Sequence, residues 1–200
     1  MIEFGSKKLL ITSDIILATE IQNEFGLNNF QIVLDKSPQL LRTIKLIFRR
    51  KLTVGQVLKI YMCRNRMKKK SVDYSSKLTV TNQYELLDIV ENFKPELLVA
   101  IQCSMIFNVS RFPTKLKMLN IHGASLPQYG GLGALFRAIA DESYNQECVL
   151  HLLTNDIDKG KTLASIKYYL DPNLSYCQNY ERSIIAGKKL IEELCNGDLI

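Results

Sequence analysis

The sequence predicts an α/β protein: a mostly parallel, twisted sheet with helices on both faces. Two observations carry this reading. Short, almost wholly apolar runs alternate along the chain with stretches whose apolar residues recur every three or four positions. That is how strands buried on both faces, and the helices that cover them, are written in sequence. The second observation is a pair of hydrogen-bonding side chains, Asn120 and His122, at the end of one such run and just before a Gly- and Pro-rich turn, NIHGASLPQYGG. Open α/β sheets bind ligands beyond the carboxyl ends of their strands, which is where this pair falls.

The elements follow in order. KKLLITS (Lys7 to Ser13) and QIVLD (Gln31 to Asp35) read as short buried strands around a helical stretch, DIILATEIQNEF. Beyond Pro38, Leu40, Leu41, Ile44, Ile47 and Phe48 keep helical spacing, with Arg42, Lys45, Arg49 and Arg50 between them. A second helical piece, VGQVLKIYMCRNRMKKK, ends at Lys70, and YELLDIVENF (Tyr84 to Phe93) is a third. KPELLVAI gives a strand after a Pro-marked turn, and KMLNIH gives the next. GLGALFRAIADES reads as a helix opened by glycines, ECVLHLLT and TLASIKYYL as strands, and the chain closes with a helix from about Cys177 to Cys195.

Two hundred residues, 46% of them hydrophobic, suit one globular domain with a real core, expected to span residues 1–200. No apolar run approaches the roughly 18 residues of a spanning helix. Asp14 interrupts the N-terminal apolar stretch, so no signal peptide is expected. The five cysteines are widely spaced and form no C-x-x-C pair; the expectation is reduced thiols in a cytoplasmic protein, packed in the core, and no metal site. The net charge of +6 is local. Residues 36–72 hold 12 Lys/Arg and no Asp/Glu, which leaves 14 Lys/Arg against 20 Asp/Glu elsewhere. A solvated basic helical face is the plain expectation for this segment. Weak attraction to an anionic membrane surface is a second reading, and nucleic-acid binding is disfavoured because aromatic residues there are sparse.

The chemistry-bearing residues form two blocks. Asn120 and His122 are separated by one apolar residue, so in an extended segment they share a face. In VLHLLTNDIDKGK, a strand carrying His151 runs into a loop with Asp156 and Asp158 that Gly160 closes. An imidazole working near neutral pH needs a carboxylate to fix its tautomer and hold a developing positive charge. Asp158 is the expected partner of His122, and Asn120 would offer an amide N–H to an oxygen that turns negative in acyl transfer. His151 reads either as core support or as a contact to a ligand loop; Asp156 reads as a solvent-facing loop residue.

Asn120-Ile121-His122, Leu126-Pro127, Tyr129 and Gly131, followed about thirty residues later by His151 and Ile157-Asp158-Lys159-Gly160, resemble the N10-formyltetrahydrofolate-dependent formyltransferases. The likeness covers roughly Pro95 to Ile166. It implies the Rossmann-like formyltransferase fold and a catalytic trio of Asn120, His122 and Asp158. A neutral amine would attack the formyl carbon, Asn120 and protonated His122 would stabilise the oxyanion, and tetrahydrofolate would leave. By the same likeness the pterin of N10-formyltetrahydrofolate lies against Ser104, Met105, Ile106 and Phe107 and against Leu153, Thr154, Asn155 and Ile157, held chiefly by backbone groups. Gly123, Ala124, Ser125, Gln128 and Tyr129 would form the wall that admits the amine.

The place of a glycine-rich phosphate loop after the first strand reads TSDIILATE. A phosphate cradle of backbone N–H groups needs Gly for close approach, which counts against phosphoribosylglycinamide as substrate. The chain also ends about thirty residues after its last strand, leaving no room for the RNA-binding domain of a methionyl-tRNA enzyme. The expected substrate is therefore a nucleotide-linked amino sugar, in the setting of polysaccharide biosynthesis, with no nucleic-acid partner and a homodimer allowed. Gly130 stands where relatives often carry an aromatic residue or Arg, so the pocket beyond Gln128 and Tyr129 is expected to differ. The rival of another class is a folate-binding module without turnover, and a hydrolase releasing formate is a further enzyme alternative.

Overall fold

A computed structural model describes residues 7–26, 30–38, 53–68 and 78–197. Its centre is a seven-stranded sheet. The strands are β1 (Lys8–Thr12), β2 (Gln31–Asp35), β3 (Thr79–Val80), β4 (Leu97–Ile101), β5 (Lys117–His122), β6 (Asn145–Leu152) and β7 (Thr162–Tyr169), in spatial order β3-β2-β1-β4-β5-β6-β7. Strands β1 to β5 pair in parallel, whereas β5–β6 and β6–β7 are antiparallel. Among the described residues the α-helices are α1 (Ile15–Phe25), α2 (Val54–Lys68), α3 (Gln83–Phe93), α4 (Ala134–Ala140) and α5 (Tyr176–Asn196). The stretch around Leu40 to Phe48, for which helical spacing was noted, lies outside the described residues.

Alternation along the strands divides the core in two. Leu10, Ile32, Val99 and Ile121 face α1 and α5, meeting Leu17, Ile21, Leu190 and Ile191. Leu9, Ile11, Val33 and Leu98 face the other way, onto Leu86 and Val90 of α3. Helices on both faces are therefore required to keep the apolar strands dry, as the sequence pattern implied. Gly187 lets α5 lie close to the sheet, because a Cβ there would sit 3.0 Å from Ile101 Cδ1.

The helix ends follow local chemistry. Asp14 caps α1 by accepting from the Ile16 and Leu17 N–H groups, Asn82 caps α3, and Ser175 with Gln178 forms a capping box on α5. α4 is shorter than the sequence suggested. It begins after Gly133, which adopts φ +75°, and stops at Ala140. β3 escaped the sequence reading because only Thr79 and Val80 pair with β2. Among the described residues, no helix is long and apolar enough to cross a membrane.

Candidate active site

The site is built where the sheet changes direction. β5 is parallel to β4 and antiparallel to β6, so its carboxyl end lies beside the start of the β5–α4 turn and against β6. Alternation puts Met118, Asn120 and His122 on one face of β5, while Leu119 and Ile121 enter the core with α1 and α5. On the neighbouring strand His151 stands directly opposite Asn120. Opposed residues of an antiparallel pair share a face. Asn120 and His122 from one sequence block and His151 from another thus arrive at one place.

The loop after β6 brings the carboxylate. Asp158 sits at φ +55°, a left-handed conformation that Asp tolerates better than most residues. Gly160 closes the loop, and no other residue fits there: a Cβ would lie 1.7 Å from the Leu152 carbonyl oxygen. The Leu152 N–H donates to Lys161 O at 3.0 Å and the Leu153 N–H to Met118 O at 2.9 Å. Those bonds pin both ends of the loop to the sheet.

Asp158 is the hub. Its Oδ2 accepts from the Gly131 N–H at 2.6 Å and lies 3.4 Å from His122 Nδ1. Its Oδ1 accepts from Asn120 Nδ2 at 3.3 Å and lies 3.5 Å from His151 Nε2. Burial pushes the Asp158 carboxyl up, but His151, the charge of His122 and the Gly131 N–H outweigh it and hold the pKa at about 2. Asp158 is an anion throughout the physiological range.

His122 is held at both nitrogens. A carbonyl oxygen only accepts, so Nε2 carries the proton it gives to Tyr129 O at 2.8 Å. Nδ1 faces Asp158. Burial pulls the imidazole pKa below its ordinary value; Asp158 and the Tyr129 carbonyl pull the other way without reversing it. The neutral imidazole is therefore the resting form near neutral pH. The ring is a neutral base with an anion positioned to hold the proton it takes.

His151 belongs to the cluster and is only 1% exposed. Its Nδ1–H donates to the Leu152 carbonyl at 2.9 Å, and its Nε2 stands 3.0 Å from Asn120 Nδ2 and 3.5 Å from Asp158 Oδ1. Of the two alternatives drawn from the sequence, the buried ring sits as core support would, and its contact to the Asn120 amide was not anticipated. Asn120 also differs from expectation. Its two N–H groups point at His151 and Asp158, so donation to a reacting oxygen requires it to exchange one of those bonds.

The residues expected against the pterin divide by burial. Met105 and Phe107 are core side chains, packed with Phe112 and Met118, so only their backbone can meet a ligand. Ile106 and Ile157 are exposed apolar side chains, one on each of the two loops. Asn155 ties those loops together, accepting from the Val109 N–H and donating to Ser110 Oγ, each at 2.8 Å. Ser104 is fixed from beneath, and Thr154 is turned onto its own loop through the Asp156 carbonyl. A cavity of about 440 Å³ lies between the segment from Val109 to Leu116 and Leu153 to Asn155, with Phe112, Leu116, Met118 and Leu153 among its apolar lining; Ser104 to Phe107, Asn120, His122 and Asp158 do not line it. Met118, which lines this cavity, lies two residues before Asn120 on the same face of β5.

The amine-side wall needs correction. Tyr129 is 1% exposed, its ring packed with Ala124, Ala134 and Leu135. It serves the site through its carbonyl and not as a substrate-facing ring, because the turn between β5 and α4 folds it inward onto an apolar patch. Ala124 is equally buried. Ser125 is bonded to Gln146 and Glu147 of β6. Gly123 lends its carbonyl to Tyr168 Oη. Gln128 alone of the five is exposed, and its amide donates to Tyr129 Oη at 3.1 Å.

Two residues were not anticipated. Arg137 on α4 donates to the Gly130 carbonyl and so fixes the turn that holds both His122 and Asp158. Asp35, at the end of β2, is 5% exposed. Its Oδ2 accepts from Ser13 Oγ at 2.8 Å, from the Ser104 and Met105 N–H groups at 2.7 and 2.8 Å, and from Cys103 Sγ at 3.3 Å; its Oδ1 accepts from the Ser37 N–H at 2.8 Å. Burial pushes the Asp35 carboxyl up, but the bonds from Ser37, Ser13 and Ser104 bring it below its ordinary value. A carboxylate ending an otherwise apolar strand, in QIVLD, was the available signal.

These features define a class: an open α/β sheet carrying an Asn–His–Asp cluster, suited to proton transfer and acyl chemistry, at the carboxyl end of a central strand. Comparison with known proteins narrows it. Residues 52–194 match the Formyl transferase family, and the chain belongs to that family.

A methionyl-tRNA formyltransferase of Finegoldia magna is 24% identical over 116 residues, which cover 56% of this chain and 37% of the relative. This chain spans little more than a third of the length of the curated relatives it matches. Among solved structures, the Helicobacter canadensis N-formyltransferase in complex with folinic acid and dTDP-3-aminofucose aligns with TM-score 0.61 at 16% identity, covering 96% of this chain and 65% of that one. A phosphoribosylglycinamide formyltransferase from Streptococcus pneumoniae aligns with TM-score 0.59 at 14% identity, covering 98% and 99%. At such identities the structural likeness establishes the shared fold.

Proposed function

We propose that the protein transfers a formyl group from N10-formyltetrahydrofolate to a primary amine. The observation that carries the proposal is the convergence of Asn120 and His122 on Asp158, with contacts of 3.3 and 3.4 Å, in a member of this family. A cavity of about 440 Å³ with an apolar wall lies beside the loop after β6, lined there by Leu153, Thr154 and Asn155, and is within the size range of small-molecule sites.

The bound cofactor supplies an electrophilic formyl carbon, to which the amine nitrogen adds and from which N10 departs with a proton. Each other contribution belongs to the chain. Asn120 exchanges its bond to Asp158 for one to the oxygen that gains negative charge, while His151 keeps the amide plane oriented. Losing one such donor costs about 10²- to 10³-fold in rate. His122 takes the proton released by the attacking nitrogen at Nδ1. The imidazolium so formed lies against Asp158 and the Tyr129 carbonyl, which lower its energy, and it then gives up the proton to the leaving nitrogen.

The substrate reading favoured here is a nucleotide-linked amino sugar. Against phosphoribosylglycinamide stands the N-terminus of α1. It has no glycine nearby, and the Asp14 carboxylate already accepts from its first N–H groups, so a phosphate would meet a negative charge there. In favour stand the sugar N-formyltransferases among the structural relatives, one of them holding dTDP-3-aminofucose. Formylation of methionyl-tRNA is a second reading, favoured by the curated relatives. A tetrahydrofolate-release assay with nucleotide-linked aminodeoxy sugars, methionyl-tRNA and phosphoribosylglycinamide separates the three. Turnover with an amino sugar supports the proposal; turnover only with methionyl-tRNA replaces the substrate. No turnover with any amine, despite folate binding, leaves a binding module.

A further inference from the structure

We propose that Cys63 and Cys177 form a reversible disulfide that ties α2 to α5. α2 packs against α1 and α5, and there the Cys63 and Cys177 thiols are hydrogen-bonded to each other. Both are reduced in this structure. Cysteines that are far apart or that point apart cannot be bridged without moving backbone. Two thiols in contact, each from a different helix, already meet that requirement. The remaining cysteines are engaged elsewhere. Cys103 donates to Asp35, and Cys148 and Cys195 lie in or against the apolar core shared by the sheet, α1 and α5.

The surroundings of the two sulfurs set the order of events. Cys63 is 1% exposed. Burial, the bond with Cys177 and the nearby charges of Glu181 and Asp14 push its thiol up to about 12, so it stays inert until an activated sulfur stands beside it. Cys177, the second residue of α5, is only half-buried and is the sulfur that a small oxidant reaches from solvent. The co-reactant is a hydroperoxide. The Cys177 sulfur attacks it: the O–O bond breaks, an S–O bond forms to give a sulfenic acid, and the second oxygen leaves as an alcohol or water. The Cys63 sulfur then attacks the sulfenic sulfur. The S–S bond forms, the S–O bond breaks, and the oxygen departs as water with the Cys63 proton. The two thiols lose two electrons and the peroxide gains them; a thiol reductant reverses the link by exchange. The bridge fastens α2 to the first turn of α5, next to Tyr176, whose ring stacks on Phe136 of α4 at 3.9 Å. It is independent of the proposed chemistry, and its failure leaves formyl transfer untouched.

The test is treatment of the full chain with hydrogen peroxide, followed by alkylation under denaturing conditions, peptide mass spectrometry and a thermal melt. The expected result is a single linked peptide pair, Cys63 with Cys177, that dithiothreitol removes. Because the bridge closes a long loop, the oxidised protein should melt about 4 °C or more above the reduced one. Cys177→Ser, a change at a half-buried position, should abolish both the linked pair and the shift. Cys63→Ala should leave Cys177 as a sulfenic acid that dimedone traps. Three results would overturn the inference. One is the absence of a Cys63–Cys177 peptide pair after peroxide treatment, whether Cys177 is untouched or oxidised further. A second is a Cys177 linkage between two chains on a non-reducing gel. The third is a melting temperature left unchanged or lowered when the pair is oxidised.

Discussion

Gly160→Ala is the most demanding test of the site geometry, because it touches none of the reacting groups. The added Cβ would lie 1.7 Å from Leu152 O and 2.7 Å from Leu152 C, both backbone atoms of a paired strand. Ordinary contact begins near 3.4 Å, so the loop must withdraw by about 1.7 Å. Asp158 is two residues away and is held by contacts of 2.6 to 3.5 Å to Gly131, Asn120, His122 and His151. A shift of that size breaks most of them. Misplacement of a catalytic group by about 1 Å costs roughly 10²-fold, so kcat/KM should fall at least 100-fold. Stability should fall modestly, since the residues between Thr154 and Ile157 are exposed and the core is untouched. Formyl-transfer kinetics, with a thermal melt run in parallel, measure both effects. Retention of activity within threefold of the parent would refute the placement of Asp158 by this close approach.

Three further outcomes follow from the same geometry. Asp35→Asn leaves donors from Ser13, Ser104 and Met105 facing an amide; bonds to a buried charge are worth about 1.5–3 kcal/mol each, so a lower melting temperature and an approximately tenfold higher KM for formyl-folate with kcat kept are expected, and an unchanged KM would contradict it. Since burial depresses the His122 pKa and a neutral ring is needed, the acid limb of kcat should lie below the ordinary histidine value of 6.5; Asp158→Asn removes a charge that raises that pKa, so the limb should move to still lower pH, and an upward move would contradict the assignment. Asp158 has its carboxyl pKa lowered from 3.8 unfolded to about 2 folded. Its stabilisation is thus fully present above about pH 4 and lost as pH falls toward 2. That is about 2 kcal/mol, and acid unfolding of Asp158→Asn should lack this component.

Much of this was legible in residue order. β2 and β5 carry the boundaries read from QIVLD and KMLNIH, because a buried strand in a sheet covered on both faces must be apolar nearly throughout. The meeting of His122 with Asp158 was legible because a strand end and a Gly-closed loop leave few directions for either side chain. What was not legible depends on pairing partners. Whether β6 runs with or against β5 is decided by the connection through α4, and only that antiparallel register puts His151 opposite Asn120. The inward turn of Tyr129 depends on a patch formed by Ala124, Ala134 and Leu135, which exists only once the turn has closed. Asp35 reads as a strand-end carboxylate until Ser13, Ser104 and Met105, distant in sequence, converge on it.

The central claim is that Asn120, His122 and Asp158 carry formyl transfer. Its most direct measurement is movement of an isotopically labelled formyl carbon from N10-formyltetrahydrofolate to an amine acceptor in a single turnover, comparing the parent with Asn120→Ala. The account predicts labelled formamide product from the parent, and a rate about 10²- to 10³-fold lower in a variant that still folds and binds folate. Label transfer at the parental rate in Asn120→Ala, or no transfer to any amine by a parent that binds formyl-folate, would contradict it.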